Sequence, residues 1–324
     1  MSDGERAVPR HLRAEPLDTA GASIRVANAP VTFGVFELAG DGPPFIGADD
    51  LLAALASSGY DGVDLGPPGY LGTTATLAAT LARHGLGLAG GWVDLRFSEP
   101  LGFGADLAGL DHALDLFEAA VRPGYPPPRP TLADAGSAVR QANPGRGADL
   151  PAIRLADAAW PAFAERVQTA AERVRGRGLE PTFHHHACTY VEAPVEIERL
   201  LELTDVGLCL DSGHLLLGGG DPLSAWRDWR PRINQLHLKD CHLGVLRRCV
   251  AEGRPMREVW SRGVFCELGA GDLDVATLLT EVAASDYRGW LVVEQDVIPG
   301  PAVRVDDLVR EQARNRQVLR RHGI

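Results

Sequence analysis

Short apolar segments recur along the chain, and stretches with a helical pattern of apolar residues separate most of them. The segments predicted as strands are residues 25–29, 62–65, 87–91, 130–133, 180–184, 206–210, 233–238 and 290–294. This alternation is typical of βαβ units, which build a parallel sheet. Eight such strands in 324 residues predict an α/β protein with a single (β/α)8 TIM barrel. An open, doubly wound sheet is the alternative.

Helices are predicted between the strands. Their ranges are residues 48–58, 74–84, 160–176, 194–203, 224–229 and 275–285. Gly59, Gly85 and Gly178 follow three of these helices closely, and glycine is a common stop signal at a helix end.

The chain is predicted to hold one domain, over residues 21–324. Residues 1–20 mix charges without an apolar stretch, so we expect a loosely ordered tail and not a secretory signal. Residues 243–264 follow the seventh predicted strand and are expected to form a partly helical insertion. Loops after the strands of a barrel surround its active site. This insertion is therefore either a lid or a surface elaboration.

Charge and composition exclude several classes of partner. The formal net charge is −11 and the pI is near 5.4, so the surface repels phosphate backbones and anionic membranes. No run of eighteen apolar residues is present, which argues against a membrane span. The five cysteines include no CxxC pair, and a reducing cytoplasmic location is expected.

Polar residues with catalytic potential collect at the carboxyl ends of four predicted strands. They are His184, His185, His186, Asp211, His214, His237, Lys239, Asp240, Glu294, Gln295 and Asp296. The carboxyl ends of parallel barrel strands converge on one face, so these side chains are expected to become neighbours. Because side chains alternate along a strand, His184 and His186 should share one face and His185 should take the other. A set of imidazoles and carboxylates suits Mn²⁺, Co²⁺, Fe²⁺ or Zn²⁺. The carboxylates argue against a structural zinc site, which is built from thiolates.

Four of these stretches carry a family resemblance. They read FHHHACT at 183–189, GLCLDSGH at 207–214, HLKD at 237–240 and GWLVVEQ at 289–295. At these residues the chain resembles the xylose-isomerase-like superfamily of metal-binding TIM barrels, which contains sugar isomerases, epimerases and endonucleases. Within it, the chain is most similar to inosose dehydratases, which dehydrate 2-keto-myo-inositol. The resemblance covers roughly residues 24 to 300 and is strongest from residue 180 onward.

The resemblance implies a metal site. In the superfamily, four strand-end residues, usually Glu, Asp, His and Glu, hold the ion. The last three correspond to Asp211, His237 and Glu294, and His184 stands where the first Glu is usual. His186, on the same strand face, is the alternative first ligand. Mn²⁺ or Co²⁺ is the expected ion, with Zn²⁺, Fe²⁺ and Mg²⁺ as alternatives.

Catalytic and substrate-binding roles follow from the same residues. His186, Glu294 and Lys239 are the candidate acid/base groups. His186 is favoured for proton transfer because a metal-bound carboxylate is a poorer base than a free one. The residues expected to contact substrate are His214, Asp240, Trp92, Asp64 and Asp134.

The predicted function is metal-dependent dehydration of a keto-inositol or similar polyhydroxy ketone. A sugar or inosose isomerase/epimerase on the same barrel is the alternative. An abasic-site endonuclease is disfavoured by the acidic chain. A non-catalytic carbohydrate-binding protein is disfavoured because it has no need of a full metal-ligand set. The expected partner is a small polyhydroxylated carbonyl compound, and a homo-oligomer is compatible with the family.

Overall fold

The computed structural model describes residues 24–36 and 42–324. Its strands are β1 (Ile24–Asn28), β2 (Gly62–Val63), β3 (Gly87–Leu88), β4 (Gly90–Leu95), β5 (Arg129–Asp134), β6 (Thr182–His184), β7 (Gly207–Asp211), β8 (Ile233–Leu238), β9 (Asp240–Cys241), β10 (Phe265–Cys266) and β11 (Gly289–Val293). Its α-helices are α1 (Ala48–Ser58), α2 (Leu77–Arg83), α3 (Pro100–Ala119), α4 (Ala138–Gln141), α5 (Trp160–Arg175), α6 (Pro194–Leu203), α7 (Ser212–Leu217), α8 (Pro222–Trp229), α9 (Leu243–Ala251), α10 (Met256–Ser261), α11 (Val275–Ala284) and α12 (Val305–Arg321).

Nine parallel strands form one sheet in the order β3-β2-β1-β11-β8-β7-β6-β5-β4. The two strands at the ends of this order, β3 and β4, are consecutive in the chain and are separated by Ala89 alone. They correspond to the single predicted strand at 87–91, which pairs first with β2 and then with β5. This change of partner closes the sheet, so the (β/α)8 barrel prediction is confirmed and the open sheet is excluded.

The register of the neighbouring strands sets the height of the site residues. Asp211 at the end of β7 pairs with His237 in β8, and His237 pairs with Val292 in β11. Glu294 follows β11 directly, one residue beyond the pair that joins Val293 to Leu238. The carboxyl ends of these three strands therefore present their polar side chains at one level of the barrel mouth.

Apolar faces of the helices pack on the sheet. Leu51 and Leu55 of α1 and Phe163 and Val167 of α5 are fully buried in the main core. Helix α1 ends at Gly59, whose φ of 83° is a left-handed conformation that glycine adopts without a steric penalty. Across the described part of the chain, no helix combines the length and the apolar character needed to cross a membrane.

Two long helices, α3 and α12, were not assigned from the sequence. Helix α3 contains three glycines, which weaken a helical pattern. Helix α12 buries Gln312, Asn315 and Arg316 along with its leucines, so its inner face does not read as apolar. Strand β6 begins at Thr182, two residues later than predicted, after Pro181, which has no N–H to donate to a ladder.

Residues 243–264 form α9 and α10, and β9 pairs antiparallel with β10 on either side of them. The segment is therefore a helical excursion at the carboxyl end of β8. The predicted tail at residues 1–20 lies outside the described residues, and the domain boundaries remain a prediction.

Candidate active site

Four side chains of metal-ligand type meet at the carboxyl ends of the barrel strands. They are His184, Asp211, His237 and Glu294, and one ligand atom from each lies within 4.8 Å of the others. His237 Nδ1 is 3.1 Å from Glu294 Oε2, and His184 Nε2 is 3.4 Å from Asp211 Oδ2. We call these four residues the primary ligand set. The structure brings together all four predicted ligands, and their role in binding metal remains a prediction.

The chemistry of the primary ligand set fits a divalent ion. Asp211 Oδ2 is buried and has no hydrogen-bond partner within the described chain. It faces His184 Nε2, His237 Nδ1 at 3.9 Å and Lys239 Nζ at 3.4 Å. A buried carboxylate oxygen without a hydrogen bond calls for an explanation such as an ion. Two imidazoles and two carboxylates around it are donors that suit Mn²⁺, Co²⁺, Fe²⁺ or Zn²⁺.

Lys239 brings a positive charge to the primary ligand set. Its side chain is buried, and Nζ lies 3.0 Å from Glu294 Oε2 and 2.7 Å from Asp296 Oδ1. Burial alone would favour the neutral carboxyl, but Lys239 and then His237 hold the pKa of Glu294 well below its usual range. Glu294 is therefore ionised and able to act as a ligand at neutral pH.

A second group of ligand-type side chains lies beside the first. His186, His214 and Asp296 also place one ligand atom each within 4.8 Å of one another. The rings of His186 and His214 are 3.7 Å apart between centroids, and His214 Nε2 is 3.8 Å from Asp296 Oδ2. We call these three residues the second ligand set. It shares no residue with the primary ligand set.

The three consecutive histidines divide as strand geometry predicts. His184 and His186 both approach the edge of the Trp92 indole, with ring centroids 5.5 and 5.0 Å away. His185 instead accepts a hydrogen bond from the Asp211 backbone N–H at its Nε2, 3.2 Å away. Burial lowers the pKa of His186 to about 3, so this imidazole is neutral at pH 7.

Aromatic residues line the same mouth. Trp92 in β4 is 40% exposed, which leaves part of its indole available to a ligand. Trp260 comes from α10 in the insertion, and its ring lies 6.0 Å from that of His214 and 6.2 Å from that of His186. Trp260 Nε1 donates a hydrogen bond to Asp296 Oδ2, at 3.0 Å. The insertion therefore reaches the polar centre of the barrel mouth.

Asp64 lies at the edge of the primary ligand set. It follows β2, and its Oδ2 is 3.9 Å from His237 Nε2. Its other oxygen, Oδ1, is buried and has no hydrogen bond to any described residue. Burial raises the pKa of Asp64 to about 7. Its position is compatible with the predicted contact to substrate.

Asp134 and Asp240 make hydrogen bonds to loop backbone. Asp134 Oδ2 accepts from the Tyr190 N–H at 2.8 Å, and burial raises the pKa of this carboxyl to about 7. Asp240 accepts from four backbone amides, which belong to Cys241, Gly269, Gly271 and Leu273. Through these bonds Asp240 holds the loop after β10. A contact between Asp240 and substrate stays a prediction.

A buried ion cluster supports the turn that follows the histidines. Arg140 donates to Glu192 and Glu196, at distances of 2.9 to 3.0 Å, and all three side chains are buried. Glu192 Oε1 also accepts from the N–H of Cys188, which has an unusual φ of 70°. We call Arg140, Glu192 and Glu196 the clamp. The clamp holds a strained turn two residues beyond His186.

Sequence reasoning assigned no role to Asp296 or Trp260. Asp296 had a usable signal, because it stands two residues after Glu294 on the same strand end. Trp260 had none in its spacing, since it lies outside the strands. Composition also draws attention to Lys239. It is the only lysine in the chain, and the other residues among the 32 lysines and arginines are all arginine.

A family model described as xylose isomerase-like TIM barrel matches residues 52–320. The rhizopine catabolism protein MocC of Rhizobium meliloti is 33% identical over 285 residues, covering 86% of this chain and 84% of that protein. An inosose dehydratase of Geobacillus kaustophilus is 29% identical over 291 residues, covering 86% of this chain and 89% of that protein.

Solved structures support the same architecture. IolI protein with a binding zinc atom superposes with a TM-score of 0.65 and 12% identity, covering 92% of this chain and 99% of that one. L-ribulose 3-epimerase superposes with a TM-score of 0.64 and 16% identity, covering 93% and 97%. At such identities these likenesses establish the fold alone. Inosose dehydratases are among the sequence relatives, and the prediction of an enzyme is confirmed at that level.

Proposed function

Because this chain belongs to the xylose isomerase-like TIM-barrel family, we propose that it is a metal-dependent dehydratase of a keto-inositol or similar polyhydroxy ketone. The observation that carries the proposal is the primary ligand set beside a neutral His186 and a buried Lys239. This barrel mouth brings a candidate metal site, a candidate base and a candidate acid close together. The similarity to inosose dehydratases supports the substrate class.

The metal would be held by His184, Asp211, His237 and Glu294. A divalent ion held there would polarise a carbonyl oxygen and stabilise the negative charge that develops on it. Mn²⁺ or Co²⁺ is the proposed ion, since mixed imidazole and carboxylate donors suit these metals.

His186 is the proposed general base. Its ring is neutral, and its Nδ1 is 2.8 Å from the Ala187 carbonyl oxygen, which fixes the proton on Nδ1 and leaves Nε2 free to accept one. The base removes the proton from the carbon next to the substrate carbonyl. Positioned bases of this kind contribute about 10²–10⁴-fold to a rate.

Lys239 is the proposed general acid. Its ammonium lies among Glu294, Asp296 and His214, where it can donate a proton to the hydroxyl that departs one carbon beyond the deprotonated carbon. The C–H electron pair becomes the new C=C bond, the C–O bond breaks, and water leaves. In a keto-inositol the resulting enone carries a hydroxyl, so it is the enol of a 1,2-dione.

Other side chains are proposed to bind the substrate ring. The partly exposed indole of Trp92 offers an apolar wall, and His214 and Asp64 offer polar atoms for hydroxyl groups. Each hydroxyl buried without a partner costs about 1–3 kcal/mol, so a polyol requires several such groups. Asp134 and Asp240 are bonded to loop backbone, so we propose that they affect substrate binding through the position of those loops.

The reaction is tested with 2-keto-myo-inositol and protein reloaded separately with Mn²⁺, Co²⁺ and Zn²⁺. We expect the absorbance of a dione to rise in step with the loss of one water per substrate. A screen of other keto-inositols and ketoses under the same conditions identifies the preferred substrate. Absence of water loss from every one of these compounds would contradict the proposal.

The metal site is tested by elemental analysis of the Asp211→Ala, His237→Ala and Glu294→Ala variants. Each should lose bound metal, because each removes one donor from the primary ligand set. His112→Ala is the matched control, since this histidine is exposed on α3, and its metal content should equal that of the wild type. Full occupancy in all three site variants would end the metal proposal.

An isomerase or epimerase is the second candidate, supported by epimerases among the structural neighbours. It needs the same metal but returns the proton to carbon and expels no water. Recovered substrate that carries solvent deuterium, with no dione formed, would favour it.

A further inference from the structure

The primary and second ligand sets together bring seven imidazole and carboxylate side chains to the barrel mouth, and they share no residue. The primary ligand set has two carboxylates, Asp211 and Glu294. The second ligand set has one, Asp296, together with the two imidazoles of His186 and His214. On geometry alone, each set is compact enough to hold an ion. The number of metal ions per chain is therefore a separate question from the presence of a metal.

Lys239 already places a positive charge on the second ligand set. Its Nζ is 2.7 Å from Asp296 Oδ1 and 3.0 Å from His214 Nε2. The same ammonium is also 3.0 Å from Glu294 and 3.4 Å from Asp211, so it lies between the two sets. If those two carboxylates become metal ligands, Asp296 and His214 remain as its partners.

The lysine side chain is held in this position by its surroundings. Its stem passes Gly213 so closely that a Cβ atom added there would come within 2.7 Å of Lys239 Cγ. On another side, Nζ lies 4.9 Å from the centre of the Phe265 ring. Only 2% of the residue is exposed, so these neighbours restrict where the ammonium can lie.

We propose that the Lys239 ammonium is a built-in cation that occupies the second ligand set, so that the chain binds one divalent ion and not two. Charge balance supports this. Asp211, Glu294 and Asp296 together carry three negative charges, which one divalent ion and one ammonium neutralise. A second divalent ion would leave two uncompensated positive charges in a buried site, and such charges are costly.

The identity of the residue fits the role. Lys239 is the only lysine among 324 residues, although arginine is abundant. An ammonium is a compact point charge, whereas a guanidinium is a wide planar fork. The space between Gly213, Phe265 and Asp296 suits the smaller group. A lysine here also leaves His186 unligated, which keeps this imidazole free to act as a base.

The test is the stoichiometry of metal binding, which does not depend on turnover. Apoprotein is titrated with Mn²⁺ and with Zn²⁺ by calorimetry, and bound metal is measured by elemental analysis after desalting. The wild type should bind one ion per chain. Lys239→Met should bind two, with the second ion held at least about 100-fold more tightly than in the wild type, because the local repulsion is gone.

The double variant Lys239→Met/His186→Ala should return to one ion, since it removes a donor of the second ligand set. Far-UV circular dichroism and the melting temperature check that each variant is folded, and Lys239→Gln replaces Lys239→Met if the latter is not. A wild type that binds two ions or none, or a folded Lys239 variant that still binds one, overturns the proposal.

The single lysine allows a second readout on the unaltered protein. Protein made with ¹³C-lysine gives one Cε methylene signal to follow by NMR as Zn²⁺ is added. That signal should shift with the first equivalent and then stay constant, whereas a shift that continues to two equivalents contradicts the proposal. The inference rests on the metal site of the proposed function but not on the reaction. One bound ion without dehydration would reject the reaction alone.

Discussion

Two buried ion clusters in this barrel differ in how completely their polar atoms are paired. In the clamp, both oxygens of Glu192 and both oxygens of Glu196 accept hydrogen bonds from Arg140 or from backbone amides, and Arg140 Nε is the atom left without a partner among the described residues. In the primary ligand set, Asp211 Oδ2 and His184 Nδ1 have no hydrogen-bond partner in the described structure. The two clusters belong to the same barrel mouth, and the same strand β6 leads to both.

This difference in pairing distinguishes a cluster that stabilises the fold from a cluster that can bind a ligand. Buried carboxylates whose oxygens are all paired within the chain hold a structure together, and removal of their partner exposes the cost of burying them. Buried charges that are only partly paired carry an energetic cost that a ligand can relieve. The clamp therefore stabilises the turn after His186, whereas the primary ligand set is suited to bind a ligand.

Asp211→Asn should show the largest effect, and that effect should be on activity. Asparagine keeps the side-chain oxygen that accepts the His214 N–H at 2.8 Å, so the start of α7 is preserved. Loss of the anionic ligand should reduce kcat/KM for 2-keto-myo-inositol by about 10³-fold or more, which corresponds to several kcal/mol of transition-state stabilisation.

The melting temperature of Asp211→Asn should stay within a few degrees of the wild type, because the bond to the His214 N–H is kept and Lys239 keeps Glu294 and Asp296 as anionic partners. Asp205→Asn, at an exposed ion pair with Arg175, is the control and should change neither quantity. A collapse of stability in Asp211→Asn would remove the distinction between the two clusters.

Arg140→Met should show the reverse pattern. It leaves Glu192 and Glu196 buried without their cation, which should lower the free energy of unfolding by about 3–5 kcal/mol. Urea denaturation measures this change. Arg173→Met, which removes an exposed partner of Asp111, should cost less than about 1 kcal/mol. Equal losses in the two variants would show that the clamp is not structural.

Trp260→Phe tests whether the insertion supports the mouth through Asp296. Phenylalanine keeps an aromatic ring but cannot donate the hydrogen bond to Asp296 Oδ2. We expect kcat to fall by about 10–100-fold, as for groups that orient a metal site from outside, with a smaller change in KM. Trp226→Phe is the control, because this buried tryptophan packs on Tyr287 away from the mouth. A parallel fall in both variants would point to general packing.

The smallest effect, when stated per pH unit, is expected for Asp134, which has one oxygen paired and one not. Burial raises its pKa from 3.8 to about 7 in the folded chain. The folded state then holds a proton that the unfolded state has lost, so stability falls as pH rises from about 4 to about 7. Asp134→Asn should reduce this slope by about 1 kcal/mol per pH unit, measured by denaturation at constant ionic strength.

Asp106→Asn is the control for that slope. The side-chain hydrogen bond from Arg96 lowers the pKa of Asp106, so its titration lies below this pH window. A slope that is the same in wild type and Asp134→Asn would mean that Asp134 is ionised throughout.

Much of the site was predictable because strand geometry is regular. Asp211, His237 and Glu294 follow or end apolar runs, and the parallel register brings strand ends to one level whatever their separation in sequence. Alternation along a strand likewise separated His185 from its two neighbours. Helices α3 and α12 were not predicted. Glycines interrupt the helical pattern of α3, and buried polar side chains occupy the inner face of α12.

The amino-acid sequence by itself determined that a parallel barrel forms and which side chains stand at its carboxyl mouth, because both follow from short-range periodicity. Tertiary structure alone decided that Trp260 reaches Asp296 and that the ammonium of Lys239 lies between two ligand sets. Those contacts depend on how an insertion packs and on the space beside Gly213, and no periodic pattern encodes either.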